Sequence, residues 1–321
     1  MKAVRVHELG GPEVLRDEEV DIPRAGPSQA LVKVAAAGVN YLDVQYRTGR
    51  VKAPMPFIIG SEGAGVVTTV GSAVTSVKAG DRVAWAMVLG SYAEYAIVPA
   101  DRLVPVPEQV SLEDAAAAML QGMTAHYLTH STFPLSPGHT ALVHAAAGGV
   151  GALITQVARL CGARVIATAG TDAKAEIARA AGAEHVIVYT RDDFETEVKR
   201  LTDGRGVDVV YDSVGRSTFD QSLNCLRPRG YLALFGFSSG PVAPFDPAVL
   251  GIKGSLFLTR PGLNQYIASR EELLTRATAV LGWLAAGTLR LRVDRVLPLG
   301  DAAKAHEALE ARRTAGKVLL A

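Results

Sequence analysis

The spacing of apolar and polar positions changes along the chain, and the changes mark three stretches. Up to about Gly122, short β-like runs alternate with glycine and proline: KAVRV, ALVKVAAAGV, EGAGVVTTVG, DRVAWAMV and AEYAIVP. This pattern predicts a partly closed, mainly β body. Within it, the proline-rich stretch from Ala53 to Pro56 predicts a loop, because each proline restricts its predecessor to extended conformations.

Residues 123–261 read differently. Apolar strands TALVHA, ARVIATA, HVIVY, VDVVYD, YLALFG and GSLFLT are separated by helical patterns, which predicts an α/β fold with a doubly wound, parallel six-stranded sheet. After the first strand Val150, Leu153, Ile154, Val157 and Leu160 recur at helical spacing, and Gly162 is placed to end that helix. Residues 262–321 give a helix from Glu271 to Ala286, the run LRLRVDRVLPL, a helix from Asp301 to about Arg313 and a closing strand GKVLLA. We expect this tail to return to the first domain. Asp301 reads as an N-cap, and His306, Arg312 and Arg313 fall where positive charge suits a helix C-terminus.

A length of 321 residues fits two domains. With 33 basic and 32 acidic residues, no broad field is available to gather nucleic acid or an anionic membrane surface. The start MKAVRVHEL lacks the apolar centre of a signal peptide, and no apolar run reaches the ~18 residues that span a bilayer, so the expected location is the cytoplasm. Cys161 and Cys225 have no framework spacing and read as reduced, packed thiols.

The sharpest chemical feature is HAAAGGVG, where a strand runs into Gly148, Gly149 and Gly151 and then a helix. Read as G-x-G-x-x-G, its first position is Ala146. A diphosphate must approach the first helical N–H groups closely, and a side chain at Gly148 or Gly149 would obstruct it. Gly151 would let helix and sheet pack tightly. The plainer alternative is a tight strand-to-helix turn. At the end of the second strand, where an acid holds the ribose of NAD, stand Ala169, Gly170 and Thr171, followed by Asp172 and Lys174. A hydroxyl and a cation there suit a 2′-phosphate and predict NADPH, although Thr171 could simply cap the helix and Asp172 opposes an anion. Residues 236–240 match G-x-S-x-G of serine hydrolases, but PVAPFDP follows where a nucleophile elbow needs a helix.

With AAAGGVG, the segments GVNYLDVQYRTG at 38–49, GSEGAGVV at 60–67, VVYDSVG at 209–215, GSLFLTRP at 254–261 and HEALEARRTAG at 306–316 carry a family likeness over essentially the whole chain. The sequence resembles the zinc-free medium-chain dehydrogenases/reductases, close to the NADPH:quinone oxidoreductases related to zeta-crystallin. The resemblance implies a GroES-like catalytic domain at 1–122, a Rossmann domain at 123–261 and a return to the catalytic domain at 262–321. It also implies cofactor contacts. Asn40 and Asp43 match the nicotinamide side, and Gly122 and Thr124 the entry to the dinucleotide domain. Gly148, Gly149 and Val150 match the diphosphate turn, while Gly170, Thr171, Lys174 and Tyr189 match the adenosine-phosphate pocket. Ser213, Phe235, Gly236 and Phe237 match turns after the fourth and fifth strands. Arg260 and Arg312 match arginines that reach the cofactor.

The zinc enzymes of the superfamily carry a His where this chain has Ser61, beside Glu62, and their four-cysteine lobe is missing here, so no metal is expected. His126 and His130 have helical i, i+4 spacing but no matching third ligand. Gln45 and Val51 stand where relatives often have tyrosines lining the substrate side, which leaves Asn40 and Gln45 as candidate substrate-positioning groups. The implied reaction is hydride transfer from NADPH to a quinone or another electrophilic acceptor. The alternative is reduction of an activated C=C bond, in a 2-alkenal or enoyl thioester, which needs a proton donor. A third expectation to separate is a binding or structural protein that holds the dinucleotide without turnover, a role that the lens crystallins of this type suggest. If GSLFLT forms a sheet edge, it can pair with its copy, and a homodimer is expected.

Overall fold

The β-like runs of the first third become strands in the computed structural model, which describes all 321 residues. Contacts divide the chain into two units, residues 1–123 with 267–321, and residues 124–266. In the first unit the long strand Gln29–Val39 is the hub. It pairs antiparallel with Glu62–Val70, Tyr95–Pro99 and the closing strand Lys317–Leu320. The sheet continues from Glu62–Val70 to Arg82–Ala86 and Val104–Pro105, and Val293–Leu297 forms its other edge beside Lys317–Leu320. A second sheet joins Leu15–Glu19, Lys2–Val6 and Phe57–Ile58. Alternating side chains fill two apolar cores, one around Trp85, Val32, Val67 and Leu103, the other around Val4, Val6, Ile59, Tyr92 and Leu320. The stretch from Ala53 to Pro56 is a loop, as its prolines predict.

The second unit is built on six parallel strands: β1 (Thr140–Val143), β2 (Arg164–Ala169), β3 (His185–Val188), β4 (Val207–Asp212), β5 (Leu226–Leu234) and β6 (Phe257–Thr259). Their order in the sheet is β3-β2-β1-β4-β5-β6. The direction in which strands are added reverses after β1, the arrangement of a doubly wound sheet. The helices of this unit include α1 (Gly149–Leu160), α2 (Asp172–Ala180), α3 (Phe194–Leu201) and α4 (Phe219–Asn224). Parallel strands covered on both sides need continuous apolar runs, and Leu142, Ile166, Ile187, Val210 and Leu232 are all buried in one core with Phe194 and Phe219. No helix of the chain is long and apolar enough to cross a membrane.

Several local expectations change. Leu153, Ile154 and Val157 are buried on α1, but Leu160 in its last turn is half exposed. Asp301 lies in a short 3-10 turn and makes no capping bond. Its carboxylate pairs instead with Lys304 at 2.8 Å, and the helix runs from Ala302 to Glu310. Arg312 therefore sits beyond that helix in a left-handed conformation, φ 57°. His306 brings no positive charge to the helix, because burial and the neighbouring Arg47 cation push its pKa down to about 3. The G-x-S-x-G run at 236–240 follows β5, and the next helix begins only at Ala248, so no nucleophile elbow forms.

Candidate active site

All the sequence-predicted contacts of the dinucleotide unit except Thr124 gather at the carboxyl ends of its parallel strands, where open α/β sheets bind ligands. Gly148 takes the N-cap position of α1, and Gly149 and Val150 open its first turn. The first N–H groups of a helix lack intrahelical acceptors and carry the positive end of its dipole. At Gly151 an added Cβ would lie 2.4 Å from the Ala145 carbonyl oxygen, so this glycine is required by packing of α1 on the preceding turn. At Gly148 the same carbonyl would be 3.1 Å away, and the residue is half exposed. Packing thus demands less there, and the bare Cα leaves room for an anion beside the N–H groups. The cradle fits a dinucleotide diphosphate.

The adenosine end is assembled from the turns after β2 and β3. Thr171 caps α2, its hydroxyl oxygen accepting from Lys174 N at 3.2 Å. The plain capping role is therefore real, and the hydroxyl proton stays available for a ligand. The Tyr189 hydroxyl lies over Gly170, so close that a Cβ there would sit 2.7 Å from it. Thr190 Oγ1 donates to the Gly170 carbonyl at 3.1 Å, which fastens the two turns together. No carboxylate stands at the end of β2; the nearest, Asp172, begins α2 and pairs with Arg191 at 3.4 Å.

Turns after β4 and β5 meet in the same way. Asp212 Oδ1 accepts from Val214 N and Gly215 N at 2.7 and 3.0 Å, and the Ser213 carbonyl accepts from Ser238 N at 3.1 Å. A Cβ on Gly236 would lie 2.7 Å from that Ser213 carbonyl, so the two turns need a glycine to approach. Phe235 N donates to the Asp212 carbonyl at 2.9 Å, and Arg260 after β6 stacks over the Phe237 ring, 5.2 Å from its centroid. Thr124 is buried in the helix Leu112–Tyr127.

Beneath this rim His144, Ser222 and Asp212 share a buried chain. His144 bonds Thr168 Oγ1 and Ser222 Oγ, each at 3.0 Å, and Ser222 Oγ lies 3.1 Å from Asp212 Oδ2. The carboxylate touches the serine rather than the histidine, and all three are buried, so the set ties strand ends together and is no nucleophilic triad. Burial lowers the pKa of His144, partly offset by Asp212.

In the β unit the predicted residues Asn40 and Asp43 flank the start of the helix Tyr41–Arg47 and point inward. Asn40 Nδ2 donates to Glu62 at 2.8 Å and to the Gly38 carbonyl at 3.1 Å, while its Oδ1 accepts from Lys317 at 2.8 Å. Only one lone pair of that amide remains for a ligand. Lys317 also bonds Glu62, and Leu120 N donates to the other Glu62 oxygen at 2.5 Å. Asp43 accepts from Asn40 N, Ser61 Oγ and Tyr92 OH at 2.8, 2.6 and 3.0 Å. Desolvation outweighs these bonds and raises its pKa to about 6.

The chain of bonds behind Asp43 has one direction. Arg47 can only donate, so His306 Nδ1 accepts its bond at 3.1 Å and the ring proton sits on Nε2. Nε2 then donates to the Tyr92 oxygen at 3.3 Å, and the Tyr92 hydroxyl gives its proton to Asp43. Glu310 accepts both bonds of a bidentate pair from Arg47, at 2.8 and 2.9 Å. Gln45 lies on another face of the helix, half buried, and Arg312 stands near enough to Tyr41 to lower its pKa against the raising effect of burial. Gly122 is demanded by packing, since a Cβ would meet Val280 at 2.5 Å.

Sequence reasoning missed Lys317, Tyr92 and Arg47 as members of this network. One signal was visible: Glu62 and Lys317 are charged residues that open largely apolar strands. No group of three His, Cys, Asp or Glu side chains is arranged to hold a metal ion.

Comparison with known proteins agrees with this architecture. Residues 26–108 match the alcohol dehydrogenase GroES-like domain, and residues 149–269 the zinc-binding dehydrogenase domain. The chain is 42% identical to the quinone oxidoreductase of Pseudomonas aeruginosa, covering 99% of both chains. It is likewise 42% identical to a 2-haloacrylate reductase of a Burkholderia species, covering 99% of this chain and 98% of that one. The crystal structure of Escherichia coli quinone oxidoreductase complexed with NADPH superposes with a TM-score of 0.97 at 42% identity, covering 100% of this chain and 99% of that one. Full-length identity and the close superposition of the fold lead to one assignment: this chain belongs to the quinone oxidoreductase family of medium-chain dehydrogenases/reductases.

Proposed function

We propose that the protein is an NADPH-dependent oxidoreductase that reduces quinones by hydride or electron transfer from the nicotinamide, without a metal ion. The observation that carries the reading is the glycine turn at 148–151, joined at the adenosine end by Thr171, Lys174 and Tyr189 where an NAD site would carry an acid. NADPH, when bound, supplies the hydride, and one proton from water or a polar neighbour completes the hydroquinone. The chain's own task is to bind, orient and keep water from competing. Gly148, Gly149, Val150, Gly170, Thr171, Lys174, Tyr189, Ser213, Phe235, Gly236, Phe237 and Arg260 are the proposed contacts of the dinucleotide unit, with Thr124 in the helix that leads into it. In the other unit Asn40 and Arg312 are proposed as contacts and Gln45 as a substrate-positioning group. Asp43 and Gly122, whose surroundings are protein, serve by holding Asn40 and the backbone in place. Metal independence is supported by the donor set: Ser61 spends its proton on Asp43, and neither its hydroxyl nor the Asn40 amide is a zinc ligand of ordinary strength.

A second reading is favoured by one observation, the 2-haloacrylate reductase among the relatives. Reduction of an activated C=C bond would use the same coenzyme and require a proton donor. Steady-state oxidation of NADPH with a naphthoquinone, a 2-alkenal and a 2-haloacrylate separates the two. Turnover of quinones is expected; turnover of the alkenes alone overturns the first reading. Tight NADPH binding without oxidation across the panel would leave a dinucleotide-binding protein instead.

A homodimer is part of the proposal. β6 is the edge of its sheet, its Phe257 is 48% exposed, and the neighbouring short helix Ala248–Ile252 leaves Ile252 85% exposed. Light scattering should give twice the chain mass, and a monomer would contradict it. The two free cysteines fit a reducing, cytoplasmic location.

A further inference from the structure

Asp172 is an anion at the mouth of a site proposed for a phosphate, and its partner explains how both can stand. We infer that Arg191 selects the coenzyme: it is an exchangeable counter-ion that holds Asp172 in the ligand-free protein and turns to the 2′-phosphate of NADPH. The inference rests on the NADPH reading above and adds to it a residue that neither the glycine motif nor the family likeness singled out.

Arg191 follows β3 by three residues, and its backbone is anchored beside the phosphate pocket. Tyr189 N donates to the Ala169 carbonyl at 3.1 Å, and Thr190 Oγ1 donates to the Gly170 carbonyl at 3.1 Å. From that anchor Arg191 Nη1 reaches Asp172 Oδ1 at 3.4 Å, and its Nε reaches Asp192 Oδ2 at 3.4 Å. Asp172 is the first residue of α2, directly after Thr171 and two before Lys174. A carboxylate suits the positive end of a helix, but it repels a phosphate bound against the same turn.

The ion pair is weak by construction. Side chains of Arg191 and Asp172 are 61% and 78% exposed, and pairs so exposed to water contribute little to stability. Exchange therefore costs little. A 2′-phosphate near −2, with three acceptor oxygens and a geometry that takes two guanidinium N–H bonds, competes well against a singly charged carboxylate. NADH offers no such group, so for it Arg191 stays on Asp172. The guanidinium acts twice for NADPH, by removing the field of Asp172 before binding and by meeting the phosphate afterwards.

The test is fluorescence or calorimetric titration of the full chain and of Arg191→Gln, Asp172→Asn and the double variant. Ligands are NADPH, NADH, 2′,5′-ADP and 5′-AMP at low and high salt, with thermal unfolding as a folding control. Arg191→Gln is expected to weaken NADPH and 2′,5′-ADP by about tenfold and to change NADH and 5′-AMP by less than about twofold. Asp172→Asn should tighten NADPH, and in that background loss of Arg191 should cost less. The salt dependence of NADPH binding should flatten in Arg191→Gln. Equal shifts for phosphorylated and unphosphorylated ligands, or none, with wild-type protein still preferring NADPH, overturn the role of Arg191 alone. Wild-type protein that binds NADPH and NADH alike removes the coenzyme reading and this inference with it.

Discussion

In the dinucleotide unit, the residues proposed to meet a ligand are glycines at strand-to-helix turns and exposed or half-exposed side chains such as Thr171, Lys174 and Tyr189. Their counterparts in the β unit, Asn40, Asp43, Ser61, Glu62 and Lys317, are buried and bonded to one another. The first arrangement keeps backbone N–H groups and hydroxyl protons in reserve for an incoming anion. The second consumes its polar atoms internally, because a buried donor or charge without a partner is costly. Polar groups are therefore left open at the turns of one unit and tied to one another in the other, and substitutions should separate the two.

The largest effect is expected from Lys317→Met. Removing one partner of a buried ion pair leaves Glu62 uncompensated and should cost about 3–5 kcal/mol in urea unfolding. A loss under ~1 kcal/mol would break the comparison, because the network would then be dispensable.

Next comes the pH response of Asp43. Its pKa is raised from 3.8 to about 6, so its stabilising contribution is fully present below about pH 3.8 and is lost as pH rises through about 6. Relative to Asp43→Asn, wild-type protein should lose about 2 kcal/mol of stability between pH 4 and pH 7. His306 acts with the opposite sign: its pKa is lowered from 6.5 to about 3, so its contribution is present above pH 6.5 and disappears as pH falls towards 3. The raw profile mixes the two, and the difference between wild type and Asp43→Asn isolates the first. A flat difference would show that Asp43 is not the titrating group.

Glycine substitutions sharpen the contrast within the other unit. Gly151→Ala places a Cβ 2.4 Å from a backbone oxygen and should destabilise by about 1–3 kcal/mol. Gly148→Ala meets the same oxygen at 3.1 Å, so its stability should change by less than ~1 kcal/mol while NADPH affinity falls about tenfold. If both variants lose only stability, the turn is structural and no diphosphate binds there. The smallest effect belongs to Gln45→Ala, which should lower kcat/KM for a naphthoquinone by about threefold and leave the NADPH Kd unchanged.

Much of the dinucleotide unit was legible because its determinants are local. The six apolar runs form the six strands of one parallel sheet, Gly162 ends α1, and the glycine turn lies where a strand meets a helix. Failures came where a local signal competed with a distant one. Asp301 has the composition of a cap but pairs with Lys304, and His306 sits in a helix's second half yet is buried against Arg47 and Tyr92. Arg191 follows β3, and only the parallel pairing of β2 with β3 brings it beside Asp172.

What the chain alone determined is the succession of elements and the position of the glycine turn, since periods of two and 3.6 residues and obligatory glycines act over a few neighbours. The identity of each buried polar partner was decided by tertiary structure. Lys317 bonds Asn40 across 277 residues of sequence, and nothing in either segment names the other. Burial forces every such group to find a partner, but only the path of the folded backbone determines which one is within reach.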